Sequence, residues 1–160
     1  MGNSELHDVY FGLGSNLGDK ETNIQQAIQK INKQIGKVTA CSAFYFTIPV
    51  GFDSENKFIN AACLAKTILL PIEVLHIAKS IEKEMGRKSK SENGVYTDRI
   101  IDIDMLVYDN LILNSQELTL PHPHMHKRRF VMQPLADIAA DIMHPTLKMT
   151  IKDLLTKLDQ

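Results

Sequence analysis

The chain has no tryptophan, only two cysteines in 160 residues, and a formal net charge of −1. Each scarcity excludes something. Two cysteines, Cys41 and Cys63, cannot build a disulfide framework and lack metal-ligand spacing, so both read as buried thiols of a reducing cytoplasm. A balanced charge supplies no field that would recommend nucleic acid or an anionic membrane as partner. No apolar run is long enough to span a bilayer. The polar, acidic segment Met1–Asp8 does not fit a secretory signal. The expectation is a cytoplasmic protein forming one domain over residues 1–160, with surface enough to bury a real core. No repeat, low-complexity tract or linker interrupts it.

What is present is an alternation of strand and helix patterns. Val9–Leu13 reads as a strand running into the turn Gly12-Leu13-Gly14-Ser15-Asn16. Ile24, Ala27, Ile28, Ile31 and Ile35 recur at helical spacing, with Asp19 as N-cap and Gly36 as the stop. Val38–Thr47 and Phe58–Thr67 are β-branched, aromatic and apolar, and predict two further strands around a loop at Pro49–Asn56. Pro71 opens a second helix with Ile72, Leu75, Ala78, Ile81 and Met85 on one face, closed by Gly86. Arg87–Thr97 is a polar, basic surface loop, and Arg99–Tyr108 a fourth strand. A hairpin over Leu111–Leu120, a proline–histidine turn and C-terminal helices ending with Ile151–Leu158 complete the chain. The order predicts an α+β fold with a ferredoxin-like βαββαβ core. Its antiparallel sheet has helices on one face and leaves the other face free for a ligand.

The fourth strand carries the sharpest chemical signal. Alternation sends Ile101, Ile103, Met105 and Val107 toward the helices and Asp102 and Asp104 together to the opposite face. Aspartate is depleted in strands, and two adjacent carboxylates repel unless a cation lies between them. A half-exposed sheet with solvated aspartates is the plain alternative. The apolar flanks and the arginines Arg87 and Arg99 around a basic loop favour Mg²⁺ held by one or two carboxylates plus phosphates. Arginine suits phosphate because its charged fork binds oxygen bidentately. In Leu120-Pro121-His122-Pro123-His124-Met125-His126 the alternating histidines have poor zinc spacing, whereas His122 and Arg128 are good donors to phosphate oxygens. Gly12-x-Gly14 resembles a phosphate loop only loosely, and a tight strand-to-helix turn reads better. Phe58 and Asn60 share a strand face, where they could stack on and hydrogen-bond a flat heterocycle; for Phe58, core packing is an equal alternative.

Together these segments resemble the 6-hydroxymethyl-7,8-dihydropterin pyrophosphokinases. The resemblance runs from Gly12 to about Leu158. It is carried by Gly14-Ser15-Asn16-Leu17-Gly18-Asp19, by Pro49-Val50-Gly51 with Phe58-Ile59-Asn60, and by Glu82 with Gly86-Arg87. Asp98-Arg99-Ile100-Ile101-Asp102-Ile103-Asp104 and Leu120-Pro121-His122-Pro123 through Arg128 and Phe130 complete it. It implies diphosphate transfer from ATP to the pterin hydroxymethyl group, with release of AMP, in folate biosynthesis. Two Mg²⁺ ions would be held by Asp102 and Asp104, with Arg87 and Arg99 as the catalytic arginines. Pterin contacts would fall on Asn16, Thr47, Val50, Phe58, Asn60 and Phe130. Nucleotide contacts would fall on Leu75, Lys79, Glu82, Met105, Thr119, His122 and Arg128. The expected partners are ATP and the hydroxymethyl dihydropterin, without nucleic acid or membrane, in a monomer or weak dimer. The chain departs from many members at Val95-Tyr96-Thr97-Asp98, at Pro123 and at Glu117. A rival reading, an RNA-recognition sheet, would need paired aromatics where the fourth strand has aspartates.

Overall fold

The computed structural model describes residues 5–47, 57–86 and 100–159. Strand β1 (His7–Ser15) leads into helix α1 (Lys20–Gln34), then strands β2 (Lys37–Cys41), β3 (Tyr45–Thr47) and β4 (Phe58–Thr67). Helix α2 (Pro71–Glu84) and strand β5 (Asp102–Tyr108) follow, then the ribbon β6 (Leu113–Asn114) and β7 (Thr119–Leu120). Helices α3 (Arg129–Ala139) and α4 (Ile151–Leu158) close the chain. The main sheet is antiparallel, ordered β2-β4-β1-β5, with β3 also paired to β4. This is the expected ferredoxin-like α+β arrangement, with the second strand of the pattern broken in two.

The break has a local cause. At the corner, Ser42 N–H donates to the Ala62 carbonyl at 2.9 Å, and its hydroxyl oxygen accepts from Ala62 N–H at 2.8 Å. A side chain thus completes the ladder where the backbone turns away, and the single strand expected over Val38–Thr47 becomes β2 and β3. Helix α1 begins as expected: Thr22 N–H donates to Asp19 Oδ1 at 3.2 Å. It ends before Gly36, where a Cβ would lie 2.1 Å from the Lys66 carbonyl oxygen. Only glycine permits the chain to pass that close to β4.

Two cores share the sheet. On one face Val9, Phe11 and Leu13 of β1 pack with Ile24, Ala27 and Ile31 of α1 and with Val74, Ala78 and Ile81 of α2. On the other, Tyr10, Ala62 and Leu106 pack under Met132, Leu135, Ile151 and Leu154 of α3 and α4. The second face is therefore open only in part, because the amphipathic C-terminal helices must bury their own apolar stripe somewhere and do so there. Val107 also departs from the expected orientation. Phe11 pairs with Met105 and Tyr10 with Val107, so Leu106 is an extra residue, a β-bulge. Past it the alternation shifts, and Leu106 and Val107 both enter the second core. Cys63 is buried, and burial raises its thiol pKa; Cys41, opposite it on the sheet-edge strand β2, is exposed rather than buried.

Candidate active site

The open part of the second face is framed by strand register. Asp102 pairs with Gly14, which pairs on its other side with Asn60, which pairs with Tyr45. Asp104 pairs with Gly12, and Gly12 with Ala62. Both aspartates are half-buried, and Ile103 between them is in the helix-side core. The acidic pair and Asn60 are thus two strands apart, about 10 Å. The strand between them carries no side chain at either facing position. A Cβ on Gly14 would lie 3.2 Å from Asn60 Oδ1 and 3.6 Å from Phe58 Cδ1; one on Gly12 would have Leu106 as its nearest neighbour, at 3.5 Å. The glycines read from the sequence as a turn therefore lie inside β1 and form a flat floor. The available signal was that Gly12 and Gly14 continue the alternation of Val9, Phe11 and Leu13 on the other face.

The turn follows the floor. Ser15 and Asn16 are fully buried, and Asn23 Nδ2 donates to Ser15 Oγ at 3.2 Å and to the Leu17 carbonyl at 2.8 Å. Asn60 is also buried, Phe58 is half-buried, and Thr47 pairs with Phe58 through its backbone. Phe130, half-buried in the first turn of α3, has the Arg128 guanidinium 5.9 Å from its ring centroid. Phe58 and Asn60 lie on β4 opposite the end of β1, which Asn16 follows, while Phe130 packs against the second core. Val50, Arg87, Arg99 and the loop expected over Arg87–Thr97 lie outside the described residues.

On the far side, β5 is a sheet edge whose outward backbone needs partners. Glu82 of α2, only 9% exposed, provides one: Ile103 N–H donates to its Oε2 at 2.7 Å. Glu82 thus fastens the strand between the two aspartates. Leu75 is half-buried and Lys79 exposed on the preceding turns of α2. The Met105 side chain is 5% exposed in the helix-side core, so its own contact with a ligand can come only through the backbone, which faces the same edge as that of Ile103. The β6–β7 ribbon is tied to α2 by an exposed pair, His76 Nε2 to Glu117 Oε2 at 2.6 Å. Thr119 and His122 line a cleft of about 270 Å³ beside this ribbon.

His122 is anchored by its N–H, which donates to the Leu106 carbonyl of the bulge at 2.9 Å. Its Nδ1 accepts from His124 N–H at 3.1 Å, which leaves Nε2 as the protonated, donating nitrogen. Burial, with Arg128 and His124 adding to it, lowers its pKa to about 4 against the opposing pull of Asp102. His122 is therefore a neutral donor near an arginine and an acidic group. The alternating histidines diverge: the His122 and His124 rings lie 6.1 Å apart, while His126 is 5.9 Å from His144.

A ferredoxin-like α+β protein with an acidic pair across a glycine floor from an amide and aromatic wall is what fold and face define. The chain belongs to the 7,8-dihydro-6-hydroxymethylpterin-pyrophosphokinase family, whose model matches residues 10–140. It is 44% identical over 138 residues to the 2-amino-4-hydroxy-6-hydroxymethyldihydropteridine pyrophosphokinase of Porphyromonas gingivalis, covering 86% of this chain and 93% of that one. The protein of the same name from Aquifex aeolicus is 38% identical over 145 residues, 91% of this chain and 88% of that one. Among solved structures, wild-type Plasmodium falciparum HPPK-DHPS with pteroate matches with a TM-score of 0.79 at 15% identity, over 98% of this chain and 45% of that one. At that identity the likeness speaks for the fold, and this chain spans less than half of the longer one.

Proposed function

We propose that the open sheet face performs this family's reaction, the transfer of diphosphate from ATP to the hydroxymethyl group of 6-hydroxymethyl-7,8-dihydropterin with release of AMP, as a Mg²⁺-dependent step. The observation that supports the placement is the register row Asp102–Gly14–Asn60, which sets the acidic strand and a buried amide on one face with only a glycine between them.

The donor set fits Mg²⁺. Two half-buried carboxylates on neighbouring same-face positions supply hard oxygen ligands, and the remaining positions suit phosphate oxygens and water. Asp102 and Asp104 would hold two ions. When bound, the ions neutralise phosphate charge and steady the entering and leaving oxygens. Asn60 and Asn16 would hydrogen-bond the pterin edge, and Phe58 and Phe130 would cover its faces, with Thr47 and Val50 also assigned to the pterin. Leu75, Lys79, Thr119 and the Met105 backbone would receive the nucleotide along the β5 edge. His122 Nε2–H and Arg128 would donate to phosphate oxygens. Arg87 and Arg99 are assigned the charge developing on the transferred and departing phosphates. Glu82 acts through Ile103, holding the acidic strand in place. Residues 1–160 would act as one domain.

The test supplies ATP, Mg²⁺ and the pterin and identifies the nucleotide product. AMP is expected; ADP would overturn the reaction. Asp102→Asn should lower turnover about a thousandfold, as loss of several kcal/mol of charge stabilisation implies. Its melting temperature should stay near that of the parent. Undiminished turnover in this variant would remove the metal assignment.

A further inference from the structure

Asp137 lies two turns after Phe130 on α3, and the reaction scheme above assigns it nothing. Its carboxylate nevertheless accepts from two donors in and just before β3. Ala43 N–H donates to Oδ2 at 3.1 Å, and the Tyr45 hydroxyl lies 2.8 Å from Oδ1 and 2.9 Å from Oδ2. The bond to Asp137 is also the main reason that the Tyr45 hydroxyl titrates above its ordinary range. Tyr45 is directly opposite Asn60, and Thr47 opposite Phe58, in the β3–β4 register. Phe130 and Asp137 are seven residues apart on one helix and so share a face.

A single carboxylate therefore ties the helix that carries one aromatic wall to the strand that flanks the other. The α3 helix has no side-chain N-cap bond and carries Pro134, which cannot donate to the carbonyl four residues back. Its N-terminal turn, with Phe130, is thus weakly fixed by the helix itself and depends on outside anchors. Asp137 and the core residues Met132 and Leu135 supply them. The core residues hold the helix down on the sheet. Asp137, bonded to β3 through directional hydrogen bonds, fixes its lateral position.

We propose that Asp137 is a positioning residue for the pterin, setting the spacing between Phe130 and the Phe58–Asn60 wall through Tyr45 and Ala43. The inference rests on the pterin-side reading given above. It predicts a selective defect. In Asp137→Asn, the amide retains one acceptor oxygen and loses the charge, so the doubly accepted geometry fails. Tyr45→Phe removes only the hydroxyl and leaves the strand packing.

Steady-state kinetics of both variants, alongside Phe130→Ala, tests this. Asp137→Asn is expected to raise the pterin KM about tenfold, the effect of weakening a hydrogen bond to a charged group. The ATP KM should stay within about twofold and kcat should change little. Tyr45→Phe should give a smaller change in the same direction. The Tyr45 hydroxyl, followed by ultraviolet titration, should return toward its ordinary range in Asp137→Asn. A rise in pterin KM for Phe130→Ala with none for Asp137→Asn or Tyr45→Phe would overturn the positioning role while leaving the pterin reading intact. No change for Phe130→Ala would instead remove the pterin reading. Equal losses for pterin and ATP with a lowered melting temperature would reduce Asp137 to a structural tie and overturn the inference.

Discussion

A single methyl group probes the floor of the site. Gly14→Ala places a Cβ 3.2 Å from Asn60 Oδ1, tighter than ordinary contact, so the amide must shift. The pterin KM should rise about tenfold, the order of one hydrogen bond misplaced. Gly12→Ala meets Leu106 at an ordinary 3.5 Å. It should leave the pterin KM nearly unchanged and add about 0.5 kcal/mol of stability, because alanine loses less entropy in a strand. Equal kinetic effects from the two alanines would mean that the floor does not limit the site. His144 gives a residue-scale pH dependence. It is 3% exposed, and its Nδ1 accepts from Thr146 and Leu147 N–H at 3.3 and 3.0 Å. Burial first, then His126, lowers its folded pKa. The unfolded chain therefore takes up the proton more readily. The stability from the neutral ring is complete above about pH 6.5 and lost as pH falls below that value. Urea unfolding at a series of pH values should show a shallower acid decline in His144→Gln than in the parent; identical slopes would refute the linkage.

At the scale of elements, β5 depends on α2. Glu82→Ala removes a buried acceptor from Ile103 N–H, and stability should fall by about 2 kcal/mol, the usual cost of losing a hydrogen bond to a charged group. Turnover should fall as well, because Asp102 and Asp104 flank the freed amide. A stability loss measured by urea unfolding without any loss of turnover would separate the strand's anchoring from its chemistry. Element boundaries were mostly legible in the sequence where side-chain period and caps agree. Phe58–Thr67 and Ile151–Leu158 match their expected limits, and Asp19 caps α1 as read. Legibility failed where one residue broke the period. The Ser42 hydroxyl divides one apolar run into two strands, and Leu106 adds a residue that strict alternation cannot foresee.

At the scale of the molecule, one sheet serves two cores and only one of them adjoins the proposed pterin side. Met132→Ala, under α3, and Ile31→Ala, on α1, delete fully buried side chains of different cores. Each should cost about 3 kcal/mol. The pterin KM should rise in Met132→Ala alone, since α3 carries Phe130; equal KM effects would mean that the site responds to general loosening. Asp102, Asp104 and Asn60 stood out in the sequence because carboxylates in a strand and an amide among apolar neighbours are locally costly. Their arrangement did not. Gly12 and Gly14 carry no side chain to signal a floor, and Asp137 meets Ala43 and Tyr45 across more than ninety positions of chain, for which no local pattern exists.

The surplus residue in β5 sets local order against the placement of a neighbouring turn. Deleting Leu106 would restore an unbroken ladder with β1 and so improve the sheet at that point. The carbonyl that now receives His122 would go with it, and the proline–histidine turn would lose its foothold on the acidic strand. A straighter strand here would be a better piece of sheet and a poorer mooring for His122.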